Sequence, residues 1–444
     1  MGFYSNLHVI LSDLTKANFE TGKIYSGEND RRQPVHTLYG GAHLFKSSTL
    51  KKMNSLALSS FLHYIKNKNE LSTIFNWDTD EKLNEELYNK ILTKLKNEAI
   101  EDFRIDFEDG LGIVSEQEEN ELASFTAKEY SQCIRENSSP SFFGIRIKSF
   151  SEEAKLRAVK TLDIFLKTLL YKNDGSIPDN FIITLPKVTS ADQISTFKDI
   201  LFEYERGFGL SDNTLKFEIM LETPQAFISP EGNINLLNLI NASENRCIGV
   251  HLGLYDLTSA LNISPVYQTF NHQLCDFARY IVKFALAETG VNISDGATIL
   301  IPTDLYRGDK LTEQQIFENK KAVTKTWKII YDNVCHSLKF GIYQGWDLHP
   351  AQIPARYAAV YKFFNEGYKE VSERLRNFMD KAARATLTGI VFDDAATAQG
   401  MMNFLLRAYN CGAIGINEIE NAGLTIEQLK SKSFKKIVSE KKLK

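Results

Sequence analysis

Eight short runs of β-branched and aromatic residues recur along the first 350 residues of the chain, and helical patterns separate them. Several runs are apolar on both faces, which is typical of parallel strands buried between two layers. The runs are residues 35–39, 103–107, 142–147, 181–185, 216–221, 247–252, 297–301 and 342–348. This alternation predicts an α/β fold, a (β/α)8 TIM barrel enlarged by insertions, with an open doubly wound sheet as the alternative.

Three segments fall outside the β/α repeat. Residues 1–33 form an N-terminal extension that we expect to wrap the bottom of the barrel. The barrel is predicted at 34–354 as the catalytic domain, with a helical insertion at 47–100 after the first strand. Residues 355–444 are predicted to form a C-terminal helical cap, which also contains a strand-like run at 389–392 and a helix at 398–409.

Composition and charge exclude several classes of protein. The 444 residues are 43% hydrophobic and 24% charged, so the bulk of the chain has the composition of a globular protein. The net charge of −4 is not that of a general nucleic-acid binder, which is basic. No apolar run approaches the roughly 18 residues of a membrane helix. The five scattered cysteines are interpreted as free thiols of a reducing compartment. We therefore expect a soluble, cytoplasmic protein without nucleic-acid or membrane partners.

Charged residues follow the predicted strands at their carboxyl ends, where barrel enzymes carry their active sites. They are His43 after the first strand, Glu108 and Asp109 after the second, Arg146 at the end of the third, Lys187 after the fourth, Glu222 after the fifth and Asp256 after the sixth. Asp, Glu and Lys are depleted in strands, so this repetition indicates a shared site. Two carboxylates completed by waters and substrate oxygens suit Mg2+.

An ordered set of motifs accompanies these residues: DFEDG, a strand-end arginine, LPK, LETP, GLYDL and G-x-x-x-G-x-x-x-HPAQ. Over residues 35–400 the set resembles the phosphoenolpyruvate/pyruvate-domain barrels, in particular the citrate lyase β-subunit and malyl-CoA lyase-like group. The resemblance implies that Glu222 and Asp256 bind Mg2+ and that Arg146 grips the substrate carboxylate or carbonyl. It also implies that Glu108 and Asp109 hold metal-bound water, and that helical caps dock on neighbours in a homo-oligomer.

The implied reaction breaks or forms a carbon–carbon bond next to a carbonyl, which leaves an enolate that a divalent cation can stabilise. We therefore expect a lyase or aldolase that uses Mg2+, or alternatively Mn2+, on a small anionic 2-oxo or 3-hydroxy acid. The expected catalytic residues are Arg146, Glu108, Asp109 and His43, and the expected substrate-binding residues are Arg146, Lys187, Gly40, Gly41, Thr223 and Pro224. Gly40 and Gly41 alternatively form a tight turn, and Lys187 is alternatively a Schiff-base lysine.

Three departures from the family pattern bear on the substrate. Residues 229–235 lengthen the segment between Glu222 and Asp256, and His43 stands in the loop that usually carries an arginine. The cap aspartate that acts as acid/base is replaced by Ala398, unless Asp393 or Asp394 serves from a shifted position. A CoA thioester substrate is therefore disfavoured. Two alternatives remain: phosphoenolpyruvate-type or acyl-thioester hydrolase chemistry on the same metal site, and a non-catalytic barrel that acts as a binding protein.

Overall fold

The computed structural model describes residues 2–29, 31–78, 80–384, 395–431 and 437. Its centre is a closed barrel of eight parallel strands, each hydrogen-bonded to the next in chain order, with the eighth pairing with the first. The strands are β1 (His36–Gly41), β2 (Asp102–Asp106), β3 (Phe142–Arg146), β4 (Phe181–Leu185), β5 (Lys216–Leu221), β6 (Cys247–Leu252), β7 (Asn292–Ala297) and β8 (Gln344–Asp347). The predicted TIM barrel is confirmed.

Helices connect the strands and form the outer layer. They are α1 (Gly2–Ile24), α2 (Ser47–Tyr64), α3 (Lys68–Phe75), α4 (Glu81–Glu98), α5 (Glu116–Arg135), α6 (Lys155–Lys172), α7 (Ala191–Phe208), α8 (Pro224–Phe227), α9 (Leu236–Ala242), α10 (Leu254–Ala260), α11 (Gln273–Leu286), α12 (Glu313–Lys339), α13 (Ile353–Arg384), α14 (Ala395–Asn410), α15 (Ile416–Asn421) and α16 (Ile426–Ser431). No helix in these described ranges combines the length and the apolarity that crossing a lipid bilayer requires.

The seventh strand lies five residues earlier than predicted. The sequence pattern placed it at 297–301, whereas β7 is Asn292–Ala297 and the apolar side chains of Ile299, Leu300 and Ile301 are exposed. The sequence of β7 is polar, and residues outside the strand form hydrogen bonds with its buried polar side chain. Asp295 accepts hydrogen bonds from Arg279 Nε at 2.8 Å and from the Ser337 hydroxyl at 2.6 Å.

The barrel interior is polar, while the outward side chains of the strands are apolar. In β2, Phe103 and Ile105 are buried in the apolar core, and Phe103 stacks on Phe143 of the neighbouring strand. The alternate residue Arg104 is fully buried and reaches Asp102, as well as Glu218 at 3.0 Å. Buried charges need partners of this kind, because an unpaired charge pays the full cost of desolvation.

His251 completes this interior layer as a neutral histidine. The indole N–H of Trp346 donates to His251 Nδ1 at 2.6 Å, and His251 Nε2 lies 2.8 Å from a Glu218 oxygen. An indole only donates, so Nδ1 is the acceptor and Nε2 carries the proton that is donated to Glu218.

Segments outside the barrel repeat contact one another beside the amino-terminal ends of β1 and β2. Helices α2 to α4 lie in the segment between β1 and β2, and α13 to α16 follow β8. Buried ion pairs join the segments: Glu101, next to β2, contacts Arg32 at 3.0 Å and Lys94 of α4 at 2.6 Å. The predicted strand-like run at 389–392 and the residues Asp393 and Asp394 lie outside the described residues.

Candidate active site

Arg146 ends β3 and is held by the last residue of the neighbouring strand. Its Nε donates to Asp106 Oδ1 at 2.7 Å, and its Nη2 donates to the second carboxylate oxygen. The same carboxylate accepts the backbone N–H groups of Glu108 and Gly110 at 2.9 and 2.8 Å. Burial alone would lower the pKa of Arg146, but Asp106 outweighs it and the pKa lies above its ordinary value. Asp106 therefore fixes both the arginine and the loop that follows β2.

Only one nitrogen of Arg146 remains directed away from Asp106. Nη1 lies 3.2 Å from a Glu108 oxygen and 4.0 Å from Asp109. The guanidinium also lies over the ring of Tyr39, at 5.1 Å from the ring centroid, and Tyr39 packs against Trp346 at 4.9 Å. Sequence reasoning missed the Asp106 pairing and this aromatic support. The alternating pattern of β2, which places Asp102, Arg104 and Asp106 on one face, was the signal available.

Lys187 follows β4 and lies between the acids of two loops. Its Nζ contacts Glu108 and lies 3.0 Å from Asp109, while its backbone N–H donates to Glu222 Oε1 at 2.7 Å. The residue adopts a left-handed backbone with φ of 51°, which turns the chain between these contacts. Burial lowers the pKa of Lys187, but Glu108 and Asp109 raise it more strongly, to above its ordinary value. A Schiff-base lysine must lose its proton, so this environment disfavours that alternative.

Glu222 follows β5 and is 2% exposed. Its Oε1 accepts the Lys187 N–H, while its Oε2 receives no hydrogen bond from any described residue. A Cβ atom at Gly253 would lie 2.5 Å from that oxygen, so the absence of a side chain at Gly253 provides the space that Glu222 occupies. Burial and the nearby charge of Asp256 raise the pKa of Glu222 to about 8, although Arg146 and the Lys187 N–H oppose them.

Asp256 lies in the first turn of α10 and is exposed. Within the described part of the chain it forms neither a hydrogen bond nor an ion pair. Its charge raises the pKa of Glu222, and the two residues follow β5 and β6, which are neighbouring strands of the barrel. The residues predicted at the ends of β5 and β6 therefore share one region of the barrel mouth.

The charges of this region fit a divalent cation. Five carboxyl groups (Asp106, Glu108, Asp109, Glu222 and Asp256) surround two cations (Arg146 and Lys187). No group of three or more His, Cys, Asp or Glu side chains in the described residues is arranged to hold a metal ion. Glu222 and Asp256 are the two carboxylates available, and Mg2+ accepts such a pair because waters and ligand oxygens complete its octahedral shell.

Comparison with protein-family models shows a match over residues 14–437 to a domain of unknown function, DUF6986. The chain belongs to the DUF6986 family. No curated protein matches this DUF6986 chain. Among solved structures, it is similar to a citrate lyase from Burkholderia xenovorans LB400, with 17% identity, a TM-score of 0.55, and coverage of 90% of this chain and 96% of that one. At this identity the likeness establishes the fold alone.

Two further solved structures are more distant. A malate synthase from Haloferax volcanii has 12% identity and a TM-score of 0.44, with 89% of this chain and 99% of that chain covered. A citrate lyase beta subunit from M. tuberculosis, complexed with oxaloacetate and magnesium, has 13% identity and a TM-score of 0.40, with 75% and 99% covered. These similarities are too low to assign an activity to the DUF6986 chain.

The remaining predicted site residues of the DUF6986 chain have evident structural contacts. Thr223 Oγ1 donates to the Val188 carbonyl at 2.5 Å and caps α8, whose first residue is Pro224. A Cβ at Gly40 would lie 2.7 Å from the Phe103 ring, and a Cβ at Gly41 would lie 2.2 Å from the Gly110 carbonyl oxygen. Close packing therefore restricts both positions to glycine.

His43, His349 and Ala398 are the remaining residues that the sequence motifs contain. His43 lies in the short 3-10 helix after β1, where it is exposed and has no hydrogen-bond partner among the described residues. His349 accepts the Ala351 N–H at 3.1 Å through Nδ1, and Gln352 joins the ends of β7 and β8 by donating to the Thr298 carbonyl at 2.7 Å. Ala398 is fully buried in α14 and supplies no acid.

Proposed function

We propose that this protein is a Mg2+-dependent carbon–carbon lyase or aldolase that acts next to the carbonyl of a small anionic 2-oxo or 3-hydroxy acid. One observation carries the proposal. At the barrel mouth, Glu222 is buried and its Oε2 accepts no hydrogen bond from a described residue, while Asp256 has no ion-pair partner among these residues; Arg146 and Lys187 lie at the same end of the barrel.

Glu222 and Asp256 are the residues that would hold the cation, with Mn2+ as an alternative to Mg2+. When bound, the cation supplies a fixed positive charge that stabilises an enolate oxyanion. The Lys187 N–H holds Glu222 Oε1 in position, so Oε2 is the oxygen left for a further partner. Burial of Glu222 and the charge of Asp256 add support, because both disfavour an ionised carboxylate that has no cation beside it.

Arg146 and Lys187 would bind the carboxylate of the substrate. Both cations already contact Glu108 and Asp109, so an incoming anion must displace or share these contacts. Asp106 keeps the guanidinium in place during such an exchange, because it bonds through Nε and Nη2 and leaves Nη1. Since five carboxyl groups surround two cations, we expect the anionic substrate to bind after the divalent cation rather than before it.

Ala398 supplies no acid or base at the cap position, so among the described residues the proton acceptor comes from the barrel. His43 is the candidate on the described residues: it is exposed, it follows β1, and its ring has no competing hydrogen bond. A water held by Glu108 and Asp109 is the alternative. Replacement of His43 by Gln separates the two, since only a histidine base gives a loss of turnover without a loss of metal binding.

The test is solvent deuterium exchange at C3 of a panel of 2-oxo acids, followed by proton NMR with and without Mg2+. Enolate formation predicts exchange at least about 100-fold faster than with Mg2+ alone. Glu222→Gln and Asp256→Asn should abolish the acceleration, while Asp212→Asn, which alters an exposed acid between α7 and β5, should retain it. Absence of exchange across the panel, in a protein that still binds Mg2+, would refute the enolate mechanism and favour a hydrolase or a binding protein.

A further inference from the structure

Two aromatic side chains, Tyr39 of β1 and Trp346 of β8, point into the interior of the barrel. Their ring centroids lie 4.9 Å apart, and the guanidinium of Arg146 lies over the Tyr39 ring at 5.1 Å. Arg146 belongs to β3, and His251, which accepts the indole N–H of Trp346, belongs to β6. Since β3 is not a neighbour of β1 and β6 is not a neighbour of β8, these contacts cross the interior of the barrel.

The uncovered surface of the two rings faces the barrel mouth. Tyr39 and Trp346 are half-buried. Thr37 and Gln344, which lie two residues earlier in the same strands, are 0% and 2% exposed, so the interior is closed toward the amino-terminal ends of the strands. The exposed faces of the rings are therefore turned toward the carboxyl-terminal end, where Arg146 lies. We call Tyr39 and Trp346 the aromatic floor.

Buried hydrogen bonds hold the aromatic floor in place. The indole N–H of Trp346 donates to His251, and His251 Nε2 in turn lies 2.8 Å from a Glu218 oxygen. The thioether of Met220 extends the apolar surface, because its sulfur lies 3.6 Å from Arg146 Nη1. The nitrogen proposed to bind the substrate carboxylate is thus flanked by fixed apolar side chains, and a surface fixed in this way binds an apolar group at a low entropic cost.

The charges at the barrel mouth favour a substrate with one carboxylate. Five carboxyl groups surround Arg146 and Lys187 there, so negative charge stays in excess even when a divalent cation is bound. Lys148 follows β3, but its Nζ donates to the Phe107 carbonyl at 3.1 Å and lies 3.6 Å from Glu119. A second substrate carboxylate would therefore add to the excess of negative charge without a free cation among these residues.

We infer that the substrate is a 2-oxo acid with a single carboxylate and an apolar group on C3. This inference rests on the proposed function and names the class of substrate for the same site. The carboxylate lies at Arg146 Nη1, and the apolar group covers the aromatic floor, which removes the exposed ring surface from water. Arg146, Tyr39 and Trp346 together select against dicarboxylic 2-oxo acids.

Calorimetric titration of the Mg2+-saturated protein tests the inference without requiring any reaction. N-phenyloxamate and N-oxalylglycine share the head group of a 2-oxo acid, and they differ in carrying a phenyl group or a second carboxylate. We expect N-phenyloxamate to bind at least about 10-fold more tightly. Equal or tighter binding of N-oxalylglycine would indicate a further cation, such as the exposed Arg307 or Lys310 between β7 and α12, and would overturn the inference. Failure of both ligands to bind would also overturn it.

Variants of the aromatic floor show whether it causes the preference. Trp346→Leu should reduce the preference for N-phenyloxamate about 10-fold, and Tyr39→Leu gives the same test without removing the hydrogen bond to His251. The matched control is Tyr171→Leu, which removes an aromatic ring that is 81% exposed on α6 and should keep the preference. An unchanged preference in a folded floor variant would overturn the inference.

Deuterium exchange at C3 separates a failure of this inference from a failure of the proposed function. The matched substrates are 2-oxopentanoate and 2-oxoglutarate, which have the same chain length and differ in a terminal methyl group or carboxylate. We expect faster exchange of 2-oxopentanoate, by at least about 10-fold in kcat/KM. Faster exchange of 2-oxoglutarate would overturn the substrate class and leave the enolate chemistry intact. Tight binding of N-phenyloxamate with no exchange of either acid would support the ligand class and refute the chemistry.

Discussion

Gly253 is the position where one added methyl group should disturb the candidate metal site. A Cβ atom there would lie 2.4 Å from Glu222 Cβ and 2.5 Å from Glu222 Oε2. Ordinary contacts of this kind are roughly 3.4–4 Å, so Glu222 must move by about 1 Å. Gly253 has a φ of −91°, which alanine adopts without strain, so Gly253→Ala changes the space and not the backbone preference.

The expected cost follows from this displacement. Overpacking a well-packed position costs about 1–3 kcal/mol of folding free energy, and we expect a loss in that range for Gly253→Ala. A displacement of about 1 Å at a functional group costs on the order of 100-fold, so Mg2+ affinity should fall by about that factor. Isothermal titration calorimetry measures the affinity, and urea unfolding followed by circular dichroism measures the stability.

The matched control is Gly207→Ala in α7, where no atom lies within 4 Å of the added Cβ. Alanine is the better helix former, so this variant should be unchanged or more stable by about 0.5–1 kcal/mol, with wild-type Mg2+ affinity. A Gly253→Ala protein that binds Mg2+ as the wild type does would show that the position of Glu222 is not what determines metal binding, and would refute the reasoning.

Three further predictions concern buried charges. Burial lowers the pKa of His36 to about 3, so the stability that the neutral ring provides is complete well above pH 6.5 and is lost as the pH falls toward 3. His36→Gln should remove about 2 kcal/mol of the loss of folding free energy between about pH 6.5 and 4.5, measured by urea unfolding. Arg104→Met leaves Asp102 and Glu218 buried without their cation and should cost about 3–5 kcal/mol, measured by the same unfolding assay. Arg146→Lys should keep the fold and Mg2+ affinity but slow deuterium exchange by about 100-fold, because lysine lacks the two-pronged geometry; an unfolded variant would instead show a purely structural ion pair.

The sequence best predicted the strands whose buried side chains are apolar. Predicted runs 181–185, 216–221 and 247–252 coincide with β4, β5 and β6. The prediction failed at β7, because the hydrogen bonds to its buried Asp295 come from Arg279 of α11 and Ser337 of α12. The hydrophobicity pattern of the strand itself contains no information about these distant partners. A hydrophobicity pattern instead selects Ile299 to Ile301, which are exposed.

The candidate site shows the same division between local and long-range information. Strand-end chemistry identified Arg146, Lys187 and Glu222, and the structure brings these residues together. The pairing of Arg146 with Asp106 was not predicted, because both residues are compatible with several partners until the strand register is known. The amino-terminal extension was predicted without its helix, although the spacing of Leu7, Ile10 and Leu14 was present in the sequence.

The most direct measurement is a calorimetric titration of Mg2+ into the wild-type protein, Glu222→Gln, Asp256→Asn and the control Asp212→Asn. Two carboxylates that share one cation predict a single site in the wild type and the control, and a loss of at least about 10-fold in affinity in each of the two site variants. Equal Mg2+ binding by all four proteins, or no binding by any, would contradict the metal site and with it the proposed chemistry.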